Sequence, residues 1–251
     1  MVVVLRSGFY VFSAPFKHTM AKSRAYMNWS GGKDSALALH QIRNSGGFEI
    51  THLLTSINST HNRISMHGVR RSLLEAQAAS IGIPLKTIEL PEQPDMATYE
   101  RNMSEAVHEL KDTGCTPSIF GDIFLEDLRV YRESKLRELD ISCEFPLWHQ
   151  NTLMLTKEFI AQGFRAVVVC VDGKYLDKSF CGRMIDESFL AELPANVDPC
   201  GENGEFHSFV FDGPVFKEKI SFSIGETVCR EYRSPDDKAD SISFYFTDLT
   251  G

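Results

Sequence analysis

Between Tyr26 and Phe120 short apolar strands alternate with helical stretches, and this alternation limits the possible folds more than any other feature of the chain. Residues 26–29 are predicted to form a strand that runs straight into a glycine turn, and 35–44 a helix stopped by Gly46 and Gly47. Residues 50–57 and 85–90 read as two further strands, the later one closed by Pro91. Between them Val69, Leu73 and Ala76 make a helical stripe that stops at Gly82. Met96, Tyr99, Met103, Val107 and Leu110 recur with helical spacing as far as Gly114, and 118–120 read as a fourth strand. Strands separated by helices of this length build βαβ units, so the expected fold class is α/β, with a parallel, doubly wound, Rossmann-like sheet. Such sheets bind ligands at the carboxyl ends of their strands.

The pattern changes after about residue 140. A helix over 153–162 and one buried strand over 166–171 are followed by a stretch rich in Gly, Pro and Asp. Ile220, Phe222 and Ile224, and then Ile242, Phe244 and Phe246, alternate as half-exposed antiparallel strands do. The expected organisation is an N-terminal extension over 1–21, a first domain over 22–140 and a smaller C-terminal α+β domain over 141–251. Within the extension Arg6 interrupts the apolar run before a signal-peptide core develops, and Met20 is a candidate start.

Charge and cysteine usage exclude further classes. The 251 residues carry 26 Lys and Arg against 34 Asp and Glu, a net charge of −8. That balance disfavours a nucleic-acid partner, whose backbone asks for a basic face. No apolar run reaches the roughly 18 residues of a membrane-spanning helix. The 6 Cys include no C-x-x-C pair, so reduced, structural thiols and a cytoplasmic setting are expected.

The glycine turn after the first strand reads Ser30-Gly31-Gly32-Lys33-Asp34-Ser35. Two glycines let backbone N–H groups turn inward onto phosphate oxygens, and the helix that follows adds its positive end. Lys33 supplies a mobile cation, and Ser30 and Ser35 supply hydroxyl donors. The loop is not a Walker A loop, which would need Gly at position 27 and Ser or Thr at position 34, where Met27 and Asp34 stand. Asp34 is compatible with phosphate binding only if it holds Mg²⁺ or caps the helix.

This loop resembles the PP-loop of the ATP pyrophosphatases, which split ATP into AMP and pyrophosphate. Phe120-Gly121-Asp122-Ile123 and Asp198-Pro199-Cys200-Gly201-Glu202-Asn203-Gly204-Glu205-Phe206-His207 narrow the resemblance to the diphthine–ammonia ligase type, over about residues 22–228. That type reads Glu-Gly-Gly-Glu where this chain reads Glu202-Asn203-Gly204-Glu205, so both acids keep their spacing. The resemblance implies an adenine nucleotide alpha hydrolase type of Rossmann-like sheet, with ATP and Mg²⁺ as cofactors and ammonium and a carboxylate as substrates. The carboxylate is diphthine on an elongation factor where the host makes diphthamide. The implied reaction adenylates the carboxylate, releases pyrophosphate, and lets ammonia displace AMP.

The resemblance assigns nucleotide binding to Ser30, Gly31, Gly32, Lys33, Asp34 and Ser35. It adds His67, for which a cap or surface position is an equal reading, and Gly121, which would let adenine or ribose approach the backbone. Catalysis falls to Lys33, to Asp122 as a ligand of Mg²⁺ or a hydroxyl, and to Glu202 and Glu205 as the groups that capture and deprotonate ammonium. The metal ligands themselves stay open. Arg129, Arg132 and Arg137 are read as a solvated helix face and Trp148 as a domain-interface residue. Two alternatives stand beside the ligase: an RNA-modifying PP-loop enzyme, disfavoured by charge and by the lack of paired cysteines, and amidation of a small carboxylate in a host without diphthamide.

Overall fold

The computed structural model describes residues 21–64, 67–233 and 241–251, and the expected N-terminal extension lies almost wholly outside them. In chain order the first region comprises β1 (Ser23–Asn28), α1 (Lys33–Ser45), β2 (Phe48–Asn58), β3 (Arg63–Ile64), α2 (Arg71–Ile81), β4 (Leu85–Leu90), α3 (Met96–Asp112), β5 (Pro117–Ile119), α4 (Glu126–Arg137) and β6 (Ser142–Glu144). The second comprises α5 (Thr152–Ala161), β7 (Arg165–Asp172), α6 (Glu187–Glu192), β8 (Phe206–Asp212), β9 (Ser223–Arg233) and β10 (Ser241–Thr250).

The first sheet has the parallel order β4–β2–β1–β5–β6, with β3 antiparallel against the end of β2. The chain winds outward from β1 through β2 to β4, and α3 then carries it back across β1 to β5. The reversal between β1 and β5 is the topological switch point, where parallel sheets open a crevice. Asn28 marks that point, its Nδ2 donating to Ser118 Oγ at 2.9 Å and to the Ile119 carbonyl at 3.0 Å. The parallel sheet is thus the one expected from the alternation, and β6 extends it past residue 140, where the sequence pattern changes.

The second sheet is antiparallel, in the order β8–β7–β10–β9. Its central strand β7 is buried from Ala166 to Asp172, as its run of Ala, Val and Cys requires. β9 and β10 form an antiparallel pair; β10 contains the alternating Ile242, Phe244 and Phe246, whereas of Ile220, Phe222 and Ile224 only Ile224 lies in β9.

Helix α1 joins the two sheets. It buries Lys33, Ser35, Ala36, Leu37, Ala38, Leu39 and Ile42, more than one face of a 13-residue helix can hide against a single sheet. One apolar cluster runs from Met27, Leu39 and Leu53 through Phe159 and Phe164 to Val168, Phe206 and Val210. Strand β8 reaches the phosphate loop directly: the Val210 amide donates to the Gly31 carbonyl at 2.9 Å, and Ser208 Oγ accepts from the Lys33 amide at 3.1 Å. Gln77 of α2, fully buried, locks the junction. It accepts from Trp29 Nε1 at 2.9 Å and donates to the carbonyls of Gly31 at 3.0 Å and Val210 at 2.6 Å. No helix among the described residues is long and apolar enough to cross a membrane.

Candidate active site

The crevice at the switch point is a cavity of about 1130 Å³ lined by the phosphate loop, the β5–α4 connection, residues 201–204 and the start of β8. Its floor is the turn after β1. Gly31 has φ +75°, and a Cβ there would sit 2.8 Å from Gln77 Oε1 and Leu74 Cδ2, so only glycine fits. No side chain caps the start of α1, which leaves its first amides to the cavity, apart from that of Lys33. Ser35 Oγ donates to the Gly32 carbonyl at 2.9 Å, and Ser30 Oγ accepts from the Gly32 amide at 3.2 Å, holding the turn in shape.

Lys33 is 3% exposed. Its Nζ donates to both Asp34 carboxylate oxygens, at 2.8 and 2.7 Å, and to the Cys200 carbonyl. Burial works against the ammonium, but Asp34 outweighs it and holds Lys33 above its ordinary value. Asp34 therefore neither caps α1 nor stands alone: it is the counter-ion of Lys33.

Gly121 lines the cavity and has a packing purpose as well. A Cβ there would meet the Asp34 carbonyl carbon at 2.9 Å and the Ser35 amide at 3.0 Å, so its smallness lets the loop after β5 rest on the start of α1. That contact brings Asp122 to the cavity. Asp122 Oδ2 is buried without a hydrogen-bond partner, 3.3 Å from Arg132 Nη1, and burial raises its carboxyl above the ordinary range.

The two glutamates separate by role. Glu202 lines the cavity, its Oε1 accepting from the Ile123 amide at 2.7 Å just past Asp122. Burial pushes its carboxyl up to about 7; the Ile123 amide pulls it back, and Asp34 and Asp122 push it further up. Glu205, 2% exposed, turns into its own loop. Its oxygens accept from the Asp198 amide and from Asn203 through both amide and side chain, each at 3.0 Å. Asn203 is thus the partner that fastens Glu205, so the departure at that position supports the loop rather than disturbing it. Gly201 and Gly204, at φ +67° and +89°, make the turn that points the two acids apart.

His67 lines the same cavity, stacked on His207 with ring centroids 4.5 Å apart. The arginines do not form one solvated face. Arg129 lies 4.5 Å from the Trp148 ring and 4.9 Å from Phe145, Arg132 lies 4.4 Å from Phe120 and lines the cavity, and only Arg137 is exposed. Guanidinium–aromatic stacking explains the correction, because the flat cation gains more on a ring than in a solvated row. The thiols are held protonated: burial pushes Cys200 up to about 12 and Cys143 and Cys181 up to about 11. Residues missed by sequence reading are Gln77, Ser208 and Asn28; only Gln77 carried a signal, as a polar residue four positions after Leu73 on an apolar stripe.

Comparison with known proteins identifies relatives. Residues 23–142 match the diphthamide synthase N-terminal domain and residues 151–234 the diphthamide synthase C-terminal domain. The diphthine–ammonia ligases of Bos taurus and Homo sapiens are 28% and 26% identical over 222 residues, covering 79% of this chain and 82% of each relative. That of Danio rerio is 26% identical over 222 residues, covering 79% of this chain and 86% of its own length.

Proposed function

This chain belongs to the diphthamide synthase family and is an ATP-dependent amide ligase, and on that premise we propose that it adenylates a carboxylate and passes ammonia to it within one cleft. The observation that carries this reading is the reach of Glu202, from the second region, to the Ile123 amide beside Asp122 at 2.7 Å. A carboxylate at that place, in the cavity that the phosphate loop floors, supports an ammonia-handling role for Glu202.

In the first half-reaction the loop amides and Lys33 hold the triphosphate. Lys33 leaves Asp34 for phosphate, and a carboxylate oxygen attacks the α-phosphorus as pyrophosphate departs. A buried cation aimed at developing phosphate charge is worth more here than in water. Asp122 Oδ2, without a hydrogen-bond partner, and Asp34 fit a Mg²⁺ ion that takes one or two protein carboxylates and shares its other positions with phosphate oxygens and water. When bound, the ion would neutralise phosphate charge.

In the second half-reaction Glu202, Asp34 and Asp122 make a negative wall that draws ammonium. Glu202 takes its proton, because ammonium itself has no lone pair. Ammonia forms the C–N bond, the C–O bond to the adenylate phosphate breaks with its electrons leaving on AMP, and the surplus proton on nitrogen passes to solvent. Glu205 is a positioning residue that keeps residues 198–205 folded so that Glu202 faces inward.

Diphthine on an elongation factor is the substrate we assign, following the named activity of the relatives. The test offers that protein and a set of small carboxylates with ammonium and measures AMP and pyrophosphate. Lys33→Ala should lower AMP formation by roughly 10²–10³-fold. Unchanged AMP release from that variant would overturn the reading.

A further inference from the structure

We propose that the stacked pair His67–His207 is a proton-coupled receptor for the departing pyrophosphate: on binding it, His207 takes up a proton and the two free ring nitrogens donate to its oxygens. The proposal rests on the adenylating reaction assigned above and names a part of the site which that reaction leaves unused.

The rings stack at 4.5 Å with an interplanar angle of 30°. His67 Nδ1 and His207 Nε2 are both buried, with no hydrogen-bond partner. Two orphaned polar atoms side by side in one cavity ask for a polar ligand, since buried polar groups are otherwise paired. Their place identifies the ligand. A Cβ on Gly32 would lie 3.2 Å from His67 Cε1, so the pair stands against the phosphate loop at the start of α1. The stacked rings, 4.5 Å apart between centroids, offer two separate nitrogens rather than one shared point. That arrangement suits two oxygens of a phosphate better than a single cation.

The surroundings keep the pair neutral until an anion arrives. Burial drives both rings below the ordinary histidine range, His207 to about 4, and Lys33 adds to the effect on each. The Ser208 carbonyl beside His67 opposes it. Arg63 and Arg70, which flank the His67 segment, are committed to Asp248 of β10. Asp34 is held by Lys33, while Asp122 and Glu202 line the cavity from the other loops. A polyanion that draws Lys33 away removes the repulsion and supplies the opposite charge. Two stacked imidazoliums repel, so one proton is taken rather than two.

During adenylation the bond from the α-phosphorus to the bridging oxygen breaks and its electron pair stays on that oxygen. The solvent-derived proton on His207 is then shared with it, which stabilises pyrophosphate as it leaves. His67 stays neutral and adds a second hydrogen bond in the tautomer that carries its one proton on Nδ1.

The experiment titrates the full chain with inorganic pyrophosphate in two buffers of different ionisation enthalpy and compares wild type with His207→Gln. Any proton released by pyrophosphate itself cancels in the comparison. The wild type should take up close to one proton more than His207→Gln and bind roughly tenfold more tightly. Equal proton uptake by wild type and His207→Gln overturns the proposal. Should His207→Gln misfold, histidine Cε1–H resonances of the wild type decide: two should move on adding pyrophosphate, and none moving overturns the proposal. Neither carboxylate nor ammonium is present, so this test can fail while AMP-forming ligation holds, and the reverse.

Discussion

Because burial lifts the Glu202 carboxyl to about 7 from an ordinary 4.5, its ionised fraction changes most steeply near neutral pH. As the acceptor of the ammonium proton it must be ionised, so amide formation should rise with pH through about 7. Stability runs the other way. The folded chain binds more protons at this site than the unfolded chain between the two values, so its contribution is complete in acid and is lost as pH rises toward 7. Glu202→Gln keeps the acceptor for the Ile123 amide and removes the buried charge. We expect its Tm at pH 8 to match or exceed wild type, its amide formation to fall by roughly 10²-fold, and its carboxylate-dependent ATP–pyrophosphate exchange to persist. Loss of exchange together with amide formation would place Glu202 in the first half-reaction instead. In sequence Glu202 and Glu205 were equivalent. Only the glycine turns at 201 and 204, which send one side chain into the cavity and the other into its own loop, tell them apart.

At the scale of elements, the phosphate loop was legible because everything that shapes it is local: a strand, two glycines and a helix start within a few residues. What the local pattern did not carry is the clamp that holds the loop to β8. Gln77 lies 133 residues from Val210, and nothing in its neighbourhood says that three buried polar groups depend on it. For the same reason the sequence did not show that Gly121 also accommodates the backbone at the start of α1. Gln77→Leu roughly keeps the volume of the side chain, leaves the buried Trp29 Nε1 unpaired and takes one hydrogen bond from each of the Gly31 and Val210 carbonyls, the first of which keeps the Val210 amide. An unsatisfied buried group costs about 1–3 kcal/mol, so denaturant unfolding should show a loss of at least that size and weaker ATP binding. A variant as stable as wild type would show that the clamp is incidental.

Across the whole molecule, the last strand closes on the first region. Asp248 of β10 accepts from Arg63 at 2.8 Å and from Arg70 at 2.6 Å, bracketing the segment that carries His67. Hydrogen bonds from Arg70 hold its carboxyl well below the ordinary range, with Arg63 adding to the effect. A depressed carboxylate contributes stability above its ordinary value and loses it as pH falls through the folded one. The stability gap between wild type and Asp248→Asn should therefore be open at pH 7 and close in strong acid; a gap independent of pH would count against the clamp. The βαβ alternation reported the parallel sheet because its period is local, and β10 showed in the alternation of Ile242, Phe244 and Phe246, while β9 lies beyond Ile220 and Phe222, where the earlier alternation falls. Strand β8 did not show, since Phe206–Asp212 is buried on both faces and alternates with nothing.

The central claim is that a carboxylate attacks the α-phosphorus in the cleft shared by Lys33 and Glu202. It is tested most directly by following ¹⁸O from a labelled substrate carboxylate during turnover with ATP and ammonium. One labelled oxygen should appear in the phosphate of AMP, with unlabelled pyrophosphate formed in equal amount. Label in inorganic phosphate, with ADP as the second product, would contradict it.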